Sequence, residues 1–270
     1  MKKFGLDAIK KILRDLGDGT EINAAIAKHT APLDKVEKDF AAFAKDRAEK
    51  LAPELSFEKP EPGDEDVADV SKNFYVLTRH AKKLLREKKW KDAKAPLEKL
   101  MQFFPGYTGA DNAYWLLGEA HRSLGETNDE RIVLTTLANL KADDVDTYTR
   151  LMDLGAIAKD WAAVATNAAR YLAVNPLASP PYRFLAQASE ALGQRDAAIQ
   201  ACKTLLLLDP PDPAGAHYQL ARLLHQTGDS SAKRHLLQAL EEAPRFREGH
   251  KLLLEMNRAA TAASPAAKPQ

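Results

Sequence analysis

From Phe74 onward, apolar residues return at every third or fourth position in short blocks, and most blocks end at a glycine or a proline. That spacing predicts helices with one apolar face, and the punctuation predicts where each one stops. The blocks also repeat. Tyr182-Arg-Phe-Leu-Ala-Gln-Ala-Ser-Glu-Ala-Leu-Gly193 closes at Leu208-Asp209-Pro210, and Tyr218-Gln-Leu-Ala-Arg-Leu-Leu-His-Gln-Thr-Gly228 closes at Ala243-Pro244. Pro176, Pro210 and Pro244 are evenly spaced, about 34 residues apart, and Trp90 and Trp161 occupy matching places. A fixed period of this size marks a solenoid, in which each unit is a helix pair that cannot bury its apolar face alone. No alternating strand pattern appears, so the chain is predicted all-α.

Five units fit residues 70–258: Phe74–Pro105, about Asp111–Ala142, Val145–Pro176, Ser179–Pro210 and Ala214–Pro244, with a capping helix Phe246–Arg258. Small residues at Ala81, Gly118, Ala186 and Ala221 are expected to let the two helices of a unit approach. Leu77, Tyr114, Tyr148 and Tyr182 are expected to fill the space beside them. Gly125, Gly193 and Gly228 end first helices, and Pro105, Pro176, Pro210 and Pro244 stop second helices. Three departures stand out: Met152 with Gly155 in the third unit, Glu130 where a small residue is expected, and Pro96 inside a helix.

Three further segments surround the array. Residues 1–52 read as a helical module. Leu6, Ile9, Leu13 and Leu16 stop at Gly17-Asp18-Gly19, and Thr20 is placed to cap a short helix with Ile22, Ala25 and Ile26. A third stripe runs Leu33, Val36, Phe40, Phe43, Leu51. The first helix begins at full stride with no cap, as in a chain cut from a longer protein. Residues 53–69 hold Pro53, Pro60, Pro62 and Gly63 among seven carboxylates and read as an acidic linker. Residues 259–270 read as a disordered tail.

The repeat letters resemble the tetratricopeptide repeat (TPR) family over roughly 185 residues. The resemblance implies a right-handed α-solenoid whose first helices line a concave groove for a peptide or partner helix. On that register the groove residues are Lys82, Arg86, Trp115, Glu119, Arg122, Arg183, Gln187, Tyr218, Arg222 and His225, with Tyr75 and Asp153 beside them. Basic and aromatic groups of this kind anchor interfaces, and the guanidiniums suit an acidic or carboxylate-ended segment. TPRs that clamp a C-terminal carboxylate use asparagines, and the corresponding Lys82, Glu119, Asp153, Gln187 and Arg222 include none.

Phe4-Gly5, Ile9, Leu13, Gly19, then Leu33, Val36, Phe40 and Phe43 resemble the end of peptidase-MA-like gluzincin domains. These are zinc metallopeptidases often followed by TPRs in bacterial proteins. That resemblance implies the C-terminal portion of a larger peptidase, whose array recruits substrate or anchors the catalytic domain. The family's His-Glu-x-x-His helix has no counterpart here, because no His-Glu pair occurs anywhere in the chain. No catalytic residue carries over, so a non-catalytic interaction scaffold is expected.

Composition narrows the function by exclusion. Thirty-nine basic residues against 38 acidic give a net charge of +1, so no global field favours nucleic acid. The seven histidines are scattered along the chain with no two at metal-ligand spacing on one helix (His217 and His225 are eight apart), no phosphate-binding glycine loop appears, and no cofactor or metal is expected. Cys202 is the single cysteine, on a helical stripe, and is expected to be a small buried apolar residue. No run is long and apolar enough for a membrane span and the N-terminus does not read as a signal peptide; as written the sequence reads as cytoplasmic, truncation from an exported protein is the alternative, and the compartment is left open.

Overall fold

A computed structural model describes residues 3–50, 56, 59 and 72–263. Fourteen helices are assigned among them and no strand, apart from one isolated parallel bridge between Ser56 and Asn73. The chain divides into two compact units, one of residues 1–80 with 99–105 and the other of residues 81–98 with 106–270.

The first unit holds α1 (Gly5–Gly17), α2 (Ile22–His29) and α3 (Leu33–Glu49). Helix α1 packs on α2 and α2 on α3. Asp15 of α1 pairs with Lys28 and His29 of α2, each at 2.8 Å, and Lys3 pairs with Asp39. The cap of α2 is Glu21, not Thr20; its carboxylate accepts from the Ala24 amide at 3.0 Å. Of the apolar stripes predicted here, only Ala25 is buried, and the other buried residue, Ala8, lies outside them. Leu6, Ile9, Leu13, Ile22, Phe40 and Phe43 are exposed, because three short helices meeting through small residues leave their large side chains uncovered. Leu51 and most of the expected acidic linker lie outside the described residues. Within it, the Ser56 amide donates to Lys72 O at 2.6 Å and the Phe74 amide to Ser56 O at 2.9 Å.

Helices α4 (Phe74–Arg86) and α5 (Trp90–Phe103) follow, and their residues are shared between the two units. Pro96 lies inside α5, as expected. The second unit continues with α6 (Ala113–Leu124), α7 (Thr127–Leu140), α8 (Val145–Ala158), α9 (Trp161–Val174), α10 (Ser179–Ala191), α11 (Arg195–Leu207), α12 (Pro213–Gln226) and α13 (Ala232–Glu242). Each pair packs on itself, then on the next: α6 with α7, α7 with α8, and so on to α13. The last helix, α14 (Arg247–Ala263), packs on α12 and α13 and continues through residues 259–263, which the sequence placed in the tail.

The local reasons follow the letters. Asn112, Asp144, Asp160 and Asp212 cap α6, α8, α9 and α12, each carboxylate or amide oxygen accepting a first-turn amide at 2.9–3.3 Å. Gly125 and Gly228 end first helices at φ +74° and +73°, a conformation that costs glycine little. Tyr148 and Tyr182 donate their phenols to the carbonyls of Ala142 and Pro176, six residues back, tying each first helix to the loop before it.

Close approach within a unit also obeys the pattern. A Cβ at Gly118 would stand 3.0 Å from Leu134 Cδ2. In the third unit Met152 fills the small-residue position and is fully buried, and Gly155 takes over the close contact. A Cβ there would meet Val164 Cγ2 at 2.8 Å, so the two departures compensate one another. The C-terminal core gathers Ala186, Ala198, Cys202, Leu220, Leu224, Leu236 and Met256. Cys202 is fully buried among them, and burial pushes its thiol up to about 12.

Candidate functional site

First-helix faces carry the residues named from sequence, and the structure separates them into distinct settings. Lys82 of α4 is paired with Asp111 at 2.6 Å, and Arg86 Nε donates to Lys82 O at 3.4 Å. Trp115 of α6 is only half-exposed. It packs against the cluster of Leu134, Ala138, Tyr148, Leu151 and Leu154, so much of its area already belongs to the fold. Glu119 is exposed.

Arg122 stacks over the Trp115 ring at 5.9 Å and donates through Nε to Glu130 Oε1 at 2.7 Å. Glu130, the out-of-pattern carboxylate of α7, is 1% exposed. Arg150 of α8 grips both oxygens, Nε donating to the shared Oε1 at 2.7 Å and Nη2 to Oε2 at 2.9 Å. Burial pushes the Glu130 carboxyl up, but hydrogen bonds from Arg150 and Arg122 outweigh it and hold the group below the ordinary range. The guanidinium of Arg122 is therefore engaged within the protein. Sequence flagged Glu130 as anomalous but had no means of finding its partners.

Farther along, α10 and α12 enclose a groove of about 660 Å³ lined by Arg183, Gln187, Glu190, Ala191, Tyr218, Gln219 and Arg222. Here the two arginines differ. Arg222 is locked to Glu190 by two bonds of 2.6 Å, a planar fork-to-fork pair. Arg183 is exposed, lies 5.2 Å over the Phe184 ring, and has no carboxylate partner among the described residues. A second cavity of about 280 Å³ lies between α12 and α14 and shares Tyr218 and Arg222. His225, Gln226, Glu248, Lys251, Leu252 and Glu255 complete it. Tyr218 is braced edge-on by Phe246 at 4.8 Å, which fixes its ring between the two cavities. The structure thus brings Arg183, Gln187, Tyr218, Arg222 and His225 together along one path. It leaves Lys82, Arg86, Trp115, Glu119 and Arg122 on other units.

A residue of this type, a guanidinium flanked by amides and a phenol, can hold a carboxylate and the polar backbone of an extended segment. Nothing in the groove resembles a nucleophile–base pair. One metal-like grouping that sequence passed over does form: ligand atoms of His121, Glu126 and Asp129 lie within 4.8 Å of one another. Lys94 Nζ donates to Glu126 Oε2 at 2.8 Å and His121 Nδ1 lies 2.6 Å from the same Oε2, so that oxygen already has its cation and its hydrogen bond. No described helix is long and apolar enough to cross a membrane.

Residues 182–212, the fourth unit, match the tetratricopeptide repeat family model. The structure of MamA aligns with 66% of this chain and 94% of its own, at 17% identity and a TM-score of 0.53. YrrB, described as a TPR protein with an unusual peptide-binding site, aligns over 66% and 90% at 13% identity and a TM-score of 0.54. The fold is that of the tetratricopeptide repeat solenoids. A comparison with curated protein sequences found no match. The TPR reading of the array agrees with these findings, which do not show the peptidase resemblance of the N-terminal module.

Proposed function

We propose that this TPR protein is a non-catalytic interaction scaffold that takes an extended segment of a partner protein along α10, α12 and α14. The observation that carries this reading is the groove in which Arg183 alone offers an uncommitted guanidinium, between the amides of Gln187 and Gln219 and beside Tyr218. Arg222, held by Glu190, supplies a rigid wall and not a second anion site. The preferred segment therefore carries one carboxylate, from an acidic side chain or a chain end, followed by groups able to pair with amides. A polyacidic tract is disfavoured, because Glu190, Glu248 and Glu255 line the same path. YrrB, with the same fold, is described as binding peptide, which agrees in kind with this proposal.

The test is co-purification from cell extract, followed by binding of synthetic peptides from whatever partner is recovered. Arg183→Glu should lower affinity by ten- to a hundredfold, in line with loss of an interface arginine, and Glu119→Lys on α6 should leave it unchanged. Raising salt should weaken the wild-type complex, because exposed charges are screened beyond about 8–10 Å at physiological ionic strength. Full retention of every partner by Arg183→Glu with Tyr218→Ala would place binding elsewhere.

A further inference from the structure

His217 of α12 faces His235 of α13 across the hairpin of the fifth unit. Their Nδ1 atoms are 3.2 Å apart, the ring centres 5.4 Å apart, and the ring planes differ by 24°. With near-parallel rings, a centre separation that much longer than the nitrogen separation means each Nδ1 points toward the other along the line of centres. Two bare lone pairs would repel in that position, whereas one N–H between them makes a hydrogen bond. A tetrahedral zinc ion would sit off that line, where neither Nδ1 lone pair points. The two histidines also fall in no three-ligand grouping among the described residues.

Both rings are half-buried, and burial pushes both below the ordinary histidine range. His217 adds to the effect on His235, as do Arg234 on α13 and Lys203 on α11. Glu242 opposes it at His217, and Gln238 opposes it at His235. Asp229, in the loop joining α12 to α13, feels the His235 charge from its own side. Cationic neighbours thus prevail around His235, and the pair enters neutral solution with both rings uncharged and one bridging proton.

We propose that His217 and His235 form a pH-sensitive latch that closes the α12–α13 hairpin on one shared proton and opens in acid. The first added proton goes to an outward-facing ring nitrogen and leaves the bridge intact. The second puts hydrogens on both Nδ1 atoms, which then repel, so the two rings titrate as a coupled pair. The unfolded chain takes up both protons near the ordinary histidine value of about 6.5. Below that pH the unfolded state binds more protons than the folded one, so the stability contributed by the latch is complete above about pH 7 and is lost progressively as pH falls.

The whole 270-residue chain decides it in two measurements. Imidazole C–H resonances followed by NMR from pH 8 to pH 4.5 should show two coupled steps for His217 and His235, the second proton binding at least about tenfold more weakly than the first. In His235→Asn, which keeps an amide where Nδ1 stood, His217 should titrate once, above the lower wild-type step. Urea midpoints should fall more between pH 7 and pH 5 for the wild type than for this variant. Independent titration of both rings at one ordinary midpoint in the wild type would overturn the proposal, whatever the variant's stability. So would an equal acid loss in the two proteins.

Discussion

Replacing Glu130 by alanine tests whether the out-of-pattern carboxylate is what joins the second and third units. Glu130 is 1% exposed and accepts three guanidinium bonds of 2.7–2.9 Å from Arg122 and Arg150. Removing one partner of a buried ion pair costs about 3–5 kcal/mol, because the other charge is left uncompensated. Both arginine side chains retain some access to water, 41% for Arg122 and 23% for Arg150, so rehydration lowers the penalty. A loss of about 2–3 kcal/mol is expected for Glu130→Ala after that discount. The two arms are unequal. A double-mutant cycle should give Glu130–Arg150, a two-bonded and better-buried pair, a coupling of about 1.5–3 kcal/mol. Glu130–Arg122, the more exposed pair, should give about 0.5–1 kcal/mol. Because the folded carboxyl lies below its ordinary value, this stability is present at neutral pH. It is lost as pH falls through about 4 toward the folded value. Urea denaturation by circular dichroism at pH 7 measures the first three quantities, and repetition at pH 5 and pH 3.5 the last. A Glu130→Ala loss below about 0.5 kcal/mol, the size of an ordinary surface change, would refute the reasoning.

Leu220→Ala, at a fully buried position, should cost about 2–5 kcal/mol, while Leu207→Ala, 84% exposed, should fall within about 0.5 kcal/mol of wild type; urea midpoints compare them. Gly155→Ala should destabilise by about 1–3 kcal/mol despite better helix propensity, since the new methyl meets Val164; a stabilised variant by thermal melt would contradict the close approach. Cys202 should resist a thiol reagent at pH 8 in the native protein and react at once in 6 M guanidinium, its thiol pushed up to about 12 by burial. Fast native labelling would place it at the surface.

The helices, their order and their stops were legible in the sequence because each rests on local chemistry. Apolar spacing selects one helix face, and a left-handed glycine or a proline ends many of the helices. Caps were less legible: the sequence points to Thr20 where Glu21 serves, and the Asp and Asn caps of the array emerged from the structure. The repeat period went further, since it names the neighbour against which each pair must pack. The buried state of Cys202 and the close contact at Gly118 followed from that register.

Which charges remain available was decided only by the tertiary structure. Arg122, Arg183 and Arg222 look alike along the chain, but Arg122 is spent on Glu130 in α7 and Arg222 on Glu190 in the preceding unit. Arg183 is left to the groove. A salt bridge depends on where two side chains end in space, across separations that helical periodicity does not encode. The same holds for His217 and His235, eighteen positions apart and brought nitrogen to nitrogen by the α12–α13 turn. It holds too for Trp115, whose indole the neighbouring unit partly covers. Local pattern determines which face a residue occupies, whereas its neighbours on that face are set by how successive pairs stack.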